Sequence, residues 1–255
     1  KVHNSMDGVP YGVPHGRGPN VLMYNTEAVT PEPTSWDSIW SGEFGDKVSI
    51  YDSADFIADA ALRLMTTQPD LGITNPYQLN DEQFAAAVDL LEKQRDAGAQ
   101  YWASYTDQMA LYTSGDVVTG TSWQLQASLL QGEGQPIAGI VPEEGSTGWS
   151  DTWMIHSKAK NPNCMYMWMD HMASAEANGQ ATVYFGEAPT SPQACEYAET
   201  ISPGHCELTH ATDEAYWDKI WYWATPQADC ADDDAATTCK DQDAWIEAWT
   251  KLRGA

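Results

Sequence analysis

Segments with the two-residue alternation of a half-buried strand and segments with the 3.6-residue period of an amphipathic helix follow one another along most of this chain. Residues 46–51 (DKVSIY) alternate polar and apolar positions and predict a strand. Residues 54–65 are amphipathic and predict a helix that begins at Ser53. Because this succession of strand, turn and helix recurs, the pattern predicts an α/β architecture with a mostly parallel sheet, or two of them.

Capping signals place further elements. Asn80 precedes a helical pattern that Gly98 ends, which predicts a helix between them. The other predicted strands cover residues 101–105, 115–122, 137–141 and 149–155, and the other predicted helices cover residues 124–130, 163–173, 175–184, 213–223 and 243–251.

The charge balance excludes several classes of partner. The chain of 255 residues carries 12 basic and 37 acidic residues, a formal net charge of -25. Nucleic acid and anionic membranes both require cationic partners, so we expect neither to bind. The content of 42% hydrophobic and 19% charged residues is that of a folded chain. No apolar run reaches the roughly 18 residues of a transmembrane helix, and residues 1–10 lack the apolar stretch of a signal peptide.

Five cysteines lie in the second half of the chain, without a CxxC motif. Such spacing favours disulfides over a zinc site and indicates an oxidising compartment. Several pairings are possible, and we favour Cys195 with Cys206 and Cys230 with Cys239, because each pair brackets a loop rich in Pro and Gly or in Asp. Cys164, in an apolar helical stretch, would then be free or would pair outside this chain.

Five phrases, in consistent order, carry a resemblance to a known family. They are YGVPHGRGPNVLMYNTEAV (11–29), TSWDSIW (34–40), SGDVVTGTSW (114–123), GWSDTWMIHSKAKNPNCMYMWMDHM (148–172) and YFGEAPTSPQAC (184–195). Together they resemble the periplasmic spermidine/putrescine-binding proteins of ABC transporters. The resemblance runs through nearly the whole chain and is more specific for this solute-binding superfamily than for a polyamine as the ligand.

The resemblance implies an α/β, two-lobe periplasmic binding protein of type II, in which lobe closure traps a ligand in a cleft. Its first lobe would be incomplete here, since the family's opening part would precede Lys1. Residues 1–28 and 149–200 would be the remainder of lobe one, and residues 29–148 and 201–255 would form lobe two. The resemblance further implies a periplasmic or extracellular protein, with or without a lipid anchor. We expect a monomer that serves an ABC permease and needs no cofactor or metal.

A polyamine requires carboxylates for its ammonium groups and aromatic faces along its methylenes. Trp123 and Trp149 match the two indoles that line the cleft in the family, and Asp151 matches the carboxylate for an ammonium. Residues i and i+2 of a strand share a face, so Trp149 and Asp151 can contact one ligand together. The alternative is that Trp149 is a core residue and Asp151 a turn residue.

Other candidates match the family less well. The family's two acidic positions at a helix start fall on Ser53 and Phe56, while Asp52 and Asp55 stand one step away and serve equally as helix-capping residues. Further ligand candidates are Glu187, where the family often has a tyrosine, Asp107 in a turn, and Trp223 before a short Pro-containing segment.

Two other functions stay open at this point. Paired carboxylates such as Asp151 and Glu187 beside many tryptophans also describe a secreted glycoside hydrolase. An aromatic cage for a quaternary ammonium such as betaine or choline needs tryptophans but not two acids. No GxSxG, HExxH or GxxxxGK[ST] motif is present. Because the family phrases cover the chain, the resemblance implies a receptor and not an enzyme. The acidic run at residues 229–234 lacks calcium-loop spacing, and we interpret it as a solvated turn.

Overall fold

The computed structural model describes residues 4–6, 8–230 and 238–254. In this part of the chain the strands are β1 (Ser5–Met6), β2 (Val9–Pro10), β3 (Gly12–Pro19), β4 (Val21–Asn25), β5 (Val48–Tyr51), β6 (Gln100–Trp102), β7 (Thr119–Ser122), β8 (Ile137–Ile140), β9 (Ser146–Met154), β10 (Ala188–Pro189) and β11 (Ile220–Tyr222). The helices are α1 (Asp37–Trp40), α2 (Phe56–Thr67), α3 (Asp81–Asp96), α4 (Tyr105–Ser114), α5 (Gln124–Gly132), α6 (Pro162–Met172), α7 (Ala175–Phe185), α8 (Pro192–Ile201), α9 (His205–Leu208), α10 (Glu214–Trp217) and α11 (Gln242–Gly254).

The chain divides into two compact units. Unit 1 comprises Lys1–Pro19 and Gly148–Tyr222, and unit 2 comprises Asn20–Thr147 and Trp223–Ala255. The sequence-based ranges assign residues 20–28 to lobe one, together with residues 149–200, but their contacts place residues 20–28 in unit 2. The same ranges assign residues 201–222 to lobe two, but their contacts place them in unit 1. The division of the protein into lobes stays a prediction.

Unit 2 is built on a five-stranded sheet in the order β6-β5-β7-β4-β8. β5 runs parallel to both β6 and β7, and β4 runs antiparallel to both β7 and β8. The strands β5 to β8 therefore share one direction and β4 alone is reversed. Helices α2 to α5 supply the crossovers that parallel strands require, so the prediction of a mostly parallel sheet is confirmed for this unit.

The core of unit 2 lies on both faces of this sheet. Leu22, Ile50, Ile57 and Leu64 are at most 1% exposed. A second cluster packs Met23 of the reversed strand with residues of α4, α5 and β8. Burial of each large aliphatic side chain stabilises the folded state by roughly 1.5–3 kcal/mol, so this unit provides a rigid frame.

Unit 1 contains a four-stranded sheet in the order β10-β3-β9-β11. β3 pairs antiparallel with β9 and with β10, so the prediction of a parallel sheet is wrong here. β3 and β9 are separated in the chain by residues 20–147 of unit 2, so no single helical crossover sets them parallel. Residues 213–223 were expected to form one helix, but they form the short helix α10 and the strand β11, because the sheet edge pairs with the apolar run Ile220–Tyr222.

Unit 1 leaves much apolar surface exposed. Helix α6 has no buried residue, although its sequence is PNCMYMWMDHM. Large exposed side chains of this unit are Met154, Met165, Tyr166, Met167, Trp168, Tyr184 and Phe185. The helices predicted at 163–173 and 175–184 are confirmed as α6 and α7, each within one residue at its ends.

The cysteine pairing is confirmed. Cys195 is bonded to Cys206 and Cys230 to Cys239, while Cys164 is free and exposed on α6. Most of the acidic run at 229–234 lies outside the described residues. Within the described ranges, no helix is both long and apolar enough to cross a bilayer.

Helix α3 begins with a capping box at Asn80, the residue that the sequence predicts as its cap. The Asn80 side chain accepts a hydrogen bond from the Gln83 main-chain N–H (3.0 Å), and Gln83 Oε1 accepts one from the Asn80 N–H (3.0 Å). Two main-chain donors at the helix start are thereby satisfied.

Replacing Asn80 with Ala should lower the free energy of unfolding by about 1 kcal/mol, because a main-chain donor of α3 loses its acceptor. Urea denaturation of Asn80→Ala measures the loss. Ser104→Ala is the matched control, since Ser104 precedes α4 but its side chain makes no capping hydrogen bond. Equal effects of the two substitutions would contradict the assigned cap.

Candidate functional site

Two glycines of β3 form the floor of a polar site in unit 1. Gly16 stands opposite Asp151 and Gly18 opposite Trp149 across the β3–β9 pair. A Cβ built on Gly18 would overlap the Trp149 ring, and one built on Gly16 would overlap the Glu187 carboxyl group. The missing side chains thus allow the Trp149 indole and the Glu187 carboxyl group to lie over the strand, on the face that Asp151 shares with Trp149.

A break in strand register adds a histidine to this site. The register of β3 against β9 shifts between Pro14 and Gly16, so His15 is the extra residue of a bulge. Its Nδ1 accepts a hydrogen bond from Trp153 Nε1 (3.0 Å), and its Nε2 lies 3.3 Å from Glu187 Oε1. Because Nδ1 is an acceptor, the hydrogen of a neutral His15 is on Nε2 and faces Glu187.

Glu187 is the most deeply buried acid of the site. It is 3% exposed, and its Oε1, although near His15, receives a hydrogen bond from no described residue. Burial raises the pKa of Glu187 to about 8; the charge of Asp151 raises the pKa as well, and a hydrogen bond from Trp149 lowers it. At neutral pH this carboxyl group is therefore mostly protonated.

Asp151 and His15 have shifted pKa values too. Partial burial of the carboxyl raises the pKa of Asp151, which His15 opposes, although the residue keeps substantial solvent exposure. Burial lowers the pKa of His15, and Asp151 opposes that shift. The site thus holds an accessible acid, a deeper protonated acid and a neutral imidazole, which suits a bound cation.

Unit 2 carries a separate aromatic cluster. The Tyr51 ring centroid lies 4.9 Å from that of Trp102 and 5.3 Å from that of Trp123. It lies 6.3 Å from the centroid of Trp223, and the ring planes of Tyr51 and Trp223 are 2° from parallel. Tyr51, Trp102 and Trp223 also line a narrow recess together with Asp55 and Asp59. The carboxylate of Asp55 and the aromatic faces beside it are groups that attract an organic cation.

A chain of hydrogen bonds joins the deeper acid of this recess to Trp123. Trp123 Nε1 donates to Asn20 Oδ1 (3.2 Å), Asn20 Nδ2 donates to Thr147 Oγ1 (2.6 Å), and Thr147 Oγ1 donates to Asp59 Oδ1 (2.9 Å). Burial raises the pKa of Asp59 to about 8; the Thr147 hydrogen bond lowers it, and the charge of Asp55 raises it. These three hydrogen bonds fix the orientation of the Trp123 indole.

The sequence-predicted residues are distributed between the units. Trp149, Asp151 and Glu187 come together in unit 1, and Trp123 and Trp223 both contact Tyr51 in unit 2. Two others are placed differently: Ser53 donates a hydrogen bond to Asp55 Oδ2 (2.9 Å), and Asp107 is exposed in the first turn of α4. Helix α2 begins at Phe56, three residues after the predicted start.

Asp52 already has a cationic partner. Arg253 Nε donates to Asp52 Oδ1 (3.1 Å), Arg253 Nη2 donates to Asp52 Oδ2 (3.3 Å), and Trp249 Nε1 donates to Asp52 Oδ1 (2.9 Å). An ammonium group would have to compete with this guanidinium. A ligand role for Asp52 stays a prediction.

Sequence reasoning missed His15, Tyr51, Trp102 and Asp59. The sequence signal for His15 is the pair Gly16 and Gly18 at strand spacing, which marks a face without side chains. Asp59 carries no such signal, because its position within an apolar helix becomes informative only when Thr147 is found beside it. Among the described residues no group of three or more His, Cys, Asp or Glu could hold a metal ion.

Comparison with known proteins gives a family match. Residues 2–207 match the profile of a family described as bacterial extracellular solute-binding protein. The chain is 27% identical over 188 residues to spermidine/putrescine-binding periplasmic protein 1 of Haemophilus influenzae, covering 72% of this chain and 49% of that protein. It is 26% identical over 203 residues to a putrescine/agmatine-binding protein of Pseudomonas aeruginosa, covering 73% and 53%. The chain thus spans about half the length of these curated relatives.

Solved structures share the fold. A putative spermidine/putrescine ABC transporter protein from Listeria monocytogenes matches with a TM-score of 0.73 at 16% identity, covering 96% of this chain and 69% of that one. The spermidine/putrescine ABC transporter substrate-binding protein of Streptococcus pneumoniae matches with a TM-score of 0.69 at 17% identity, covering 96% and 68%. The α/β, periplasmic-binding-protein fold implied by the sequence resemblance is confirmed.

Replacing Gly16 with Ala should destabilise unit 1 by about 1–3 kcal/mol, because the added methyl group overlaps the buried Glu187 carboxyl. Thermal unfolding monitored by tryptophan fluorescence measures the effect. The matched control is Gly132→Ala at the end of α5, where a Cβ would meet no atom within 4 Å. A Gly16→Ala protein as stable as the control would show that Glu187 does not occupy the space over β3.

Proposed function

The chain belongs to the bacterial extracellular solute-binding protein family, and from this premise we propose that it captures a small organic cation, a polyamine of the putrescine or spermidine type, for an ABC importer. The observation that carries the proposal is the group of Trp149, Asp151 and Glu187 over the glycine floor of β3. It combines an accessible carboxylate with an aromatic face, the two features that an alkylammonium group needs.

Asp151 is the proposed primary ligand of an ammonium group. Its carboxylate keeps solvent exposure, and an ammonium–carboxylate hydrogen bond is about twice as strong as a neutral one. Trp149, two residues away on the same face, offers its ring to the adjoining methylene groups. The buried Glu187 lies below as a second acid and does not need to touch the ligand.

Unit 2 carries a second group of acids and aromatic rings. Tyr51, Trp102 and Trp223 surround a recess with Asp55 at its border and Asp59 within it. This group has the same two features as the group in unit 1, a carboxylate and aromatic rings. We propose Trp123 and Trp223 as parts of this second recognition group, with Asp55 as its acid in preference to Asp52, which Arg253 neutralises.

The names of the relatives agree with this ligand class. The curated proteins matched here are called spermidine/putrescine-binding and putrescine/agmatine-binding, and all of these ligands are alkylammonium or guanidinium compounds. The family premise favours a receptor over the glycoside hydrolase that paired acids alone would allow.

We propose further that the protein acts outside the cytoplasm, where its two disulfides are stable, and delivers its ligand to a membrane permease as a monomer.

The net charge of the chain supports rapid capture of a cation. A net charge of -25 raises the local concentration of cations near the surface and accelerates encounter, and salt screens this attraction. The affinity for a polyamine should therefore fall as ionic strength rises.

Calorimetric titration of the protein with putrescine, spermidine, agmatine, betaine and glucose tests the ligand class. We expect binding of the amines and no binding of the sugar, and a preference for betaine would instead support the aromatic cage of a quaternary-ammonium receptor. In Asp151→Asn the dissociation constant for the amines should rise at least about tenfold, since a hydrogen bond to a charged group contributes roughly 1.5–3 kcal/mol.

Asp170→Asn is the matched control, because Asp170 is an exposed acid of the same unit, on α6. Its affinity should equal that of the unchanged protein. A protein that binds no amine in the panel, or an Asp151→Asn variant with undiminished affinity, would contradict the proposed site.

A further inference from the structure

The acids of unit 1 differ in accessibility, and the difference has a consequence for binding. Asp151 is exposed, whereas Glu187 is 3% exposed. The charge of Asp151 acts on Glu187, since after burial it is the next cause that raises the pKa of Glu187. A cation that binds Asp151 therefore changes the electrostatic environment of Glu187.

We propose that Glu187 is a proton-release group, which loses its proton to solvent when Asp151 captures a cation. The inference rests on the proposed function and adds a regulatory property to it. The O–H bond of the Glu187 carboxyl group breaks, its electron pair remains on the carboxylate, and the proton passes to the buffer. No oxidant or other reactant is required.

The geometry around Glu187 prepares it for ionisation. Oε1 is buried without a hydrogen bond from any described residue, yet His15 Nε2 is 3.3 Å away and carries the imidazole hydrogen. A small movement would convert this contact into a hydrogen bond to the new carboxylate. The Trp149 hydrogen bond also favours the ionised form. The site thus supplies one donor that is already bonded and one within reach, and both favour the carboxylate over the neutral acid.

The other charged or titratable groups near Glu187 do not account for the release. His205 Nε2 lies 3.0 Å from the Glu187 main-chain oxygen, and burial lowers the pKa of His205, so it is neutral at pH 7. His15 is neutral for the same reason, and a nearby cation only reinforces this. Arg17 lies on the opposite face of β3, with its guanidinium 4.0 Å from the centroid of Trp217.

The size and sign of the effect follow from the pKa of about 8. At pH 7 Glu187 is mostly protonated before binding, and a positive charge within about 4–6 Å lowers the pKa of a carboxyl group by roughly 1–3 units. Release of roughly 0.4 to 0.9 protons per bound cation at pH 7 is then expected. Because protons are released, the affinity should increase as the pH rises from 6 to 8 and level off above 8.

Titration calorimetry with putrescine at pH 7, in phosphate, imidazole and Tris buffers, measures this release. The observed enthalpy plotted against the ionisation enthalpy of the buffer has a slope equal to the number of protons exchanged. We expect a slope that corresponds to release in the unchanged protein and a slope near zero in Glu187→Gln, with putrescine still bound. Glu176→Gln, an exposed acid of α7 in the same unit, is the control and should keep the full slope.

The possible outcomes separate the proton-release role of Glu187 from the receptor function. Binding with a zero slope in the unchanged protein would overturn the proton-release role and leave the receptor function intact. An undiminished slope in Glu187→Gln would assign the proton to another group and also overturn it. Absence of putrescine binding to the unchanged protein would overturn both. If Glu187→Gln fails to fold, His15→Leu provides the second test, since Leu has no donor for the carboxylate and the slope should fall while putrescine still binds.

Discussion

The site of unit 1 depends on the absence of two side chains. A strand ordinarily covers its face with the Cβ atoms of every second residue, and here Gly16 and Gly18 leave that strip open. The Trp149 indole and the Glu187 carboxyl group occupy the space, and pairing with β9 places Asp151 opposite Gly16. Burial of the Glu187 carboxyl group over this open strip is the main cause of its raised pKa, and the charge of Asp151 adds to the shift.

The two units contribute different physical properties. Unit 2 has a large buried core around a sheet with parallel crossovers, and its aromatic cluster is held by contacts between Tyr51 and three tryptophans. Unit 1 has a smaller antiparallel sheet and an apolar helix, α6, with no buried residue. The hydrogen-bond chain from Trp123 to Asp59 in unit 2 and the bulge at His15 in unit 1 each fix one side chain by contacts from distant parts of the sequence.

The sequence predicts local features better than the long-range ones. The cap at Asn80, the helices α6 and α7 and both disulfides depend on residues close in sequence, and all are confirmed. The antiparallel sheet of unit 1 could not be predicted from periodicity, because alternation gives the faces of a strand but not the direction of its neighbour. For the same reason the helix expected at 213–223 was wrong, since the sheet edge converts 220–222 into a strand.

In the candidate site, too, local features could be predicted from the sequence and long-range contacts could not. Trp149 and Asp151 lie two residues apart on one strand, so their shared face could be predicted from spacing, and their neighbour Glu187 was identified by family resemblance. His15 depends on a register shift between β3 and β9, for which the two glycines of β3 are the one sequence signal. Asp59 depends on contact with Thr147, for which the sequence has no signal. Asp52 illustrates the converse, because an acid at a helix start is paired here with Arg253 from the far end of the chain.

A crystal structure of the protein grown with putrescine tests the central claim most directly, because it locates the ammonium groups. The account predicts an ammonium nitrogen at about 2.7–2.9 Å from a carboxylate oxygen of Asp151, with the methylene chain against the Trp149 ring. Putrescine bound elsewhere on the protein, with Asp151 in contact with solvent alone, would contradict it.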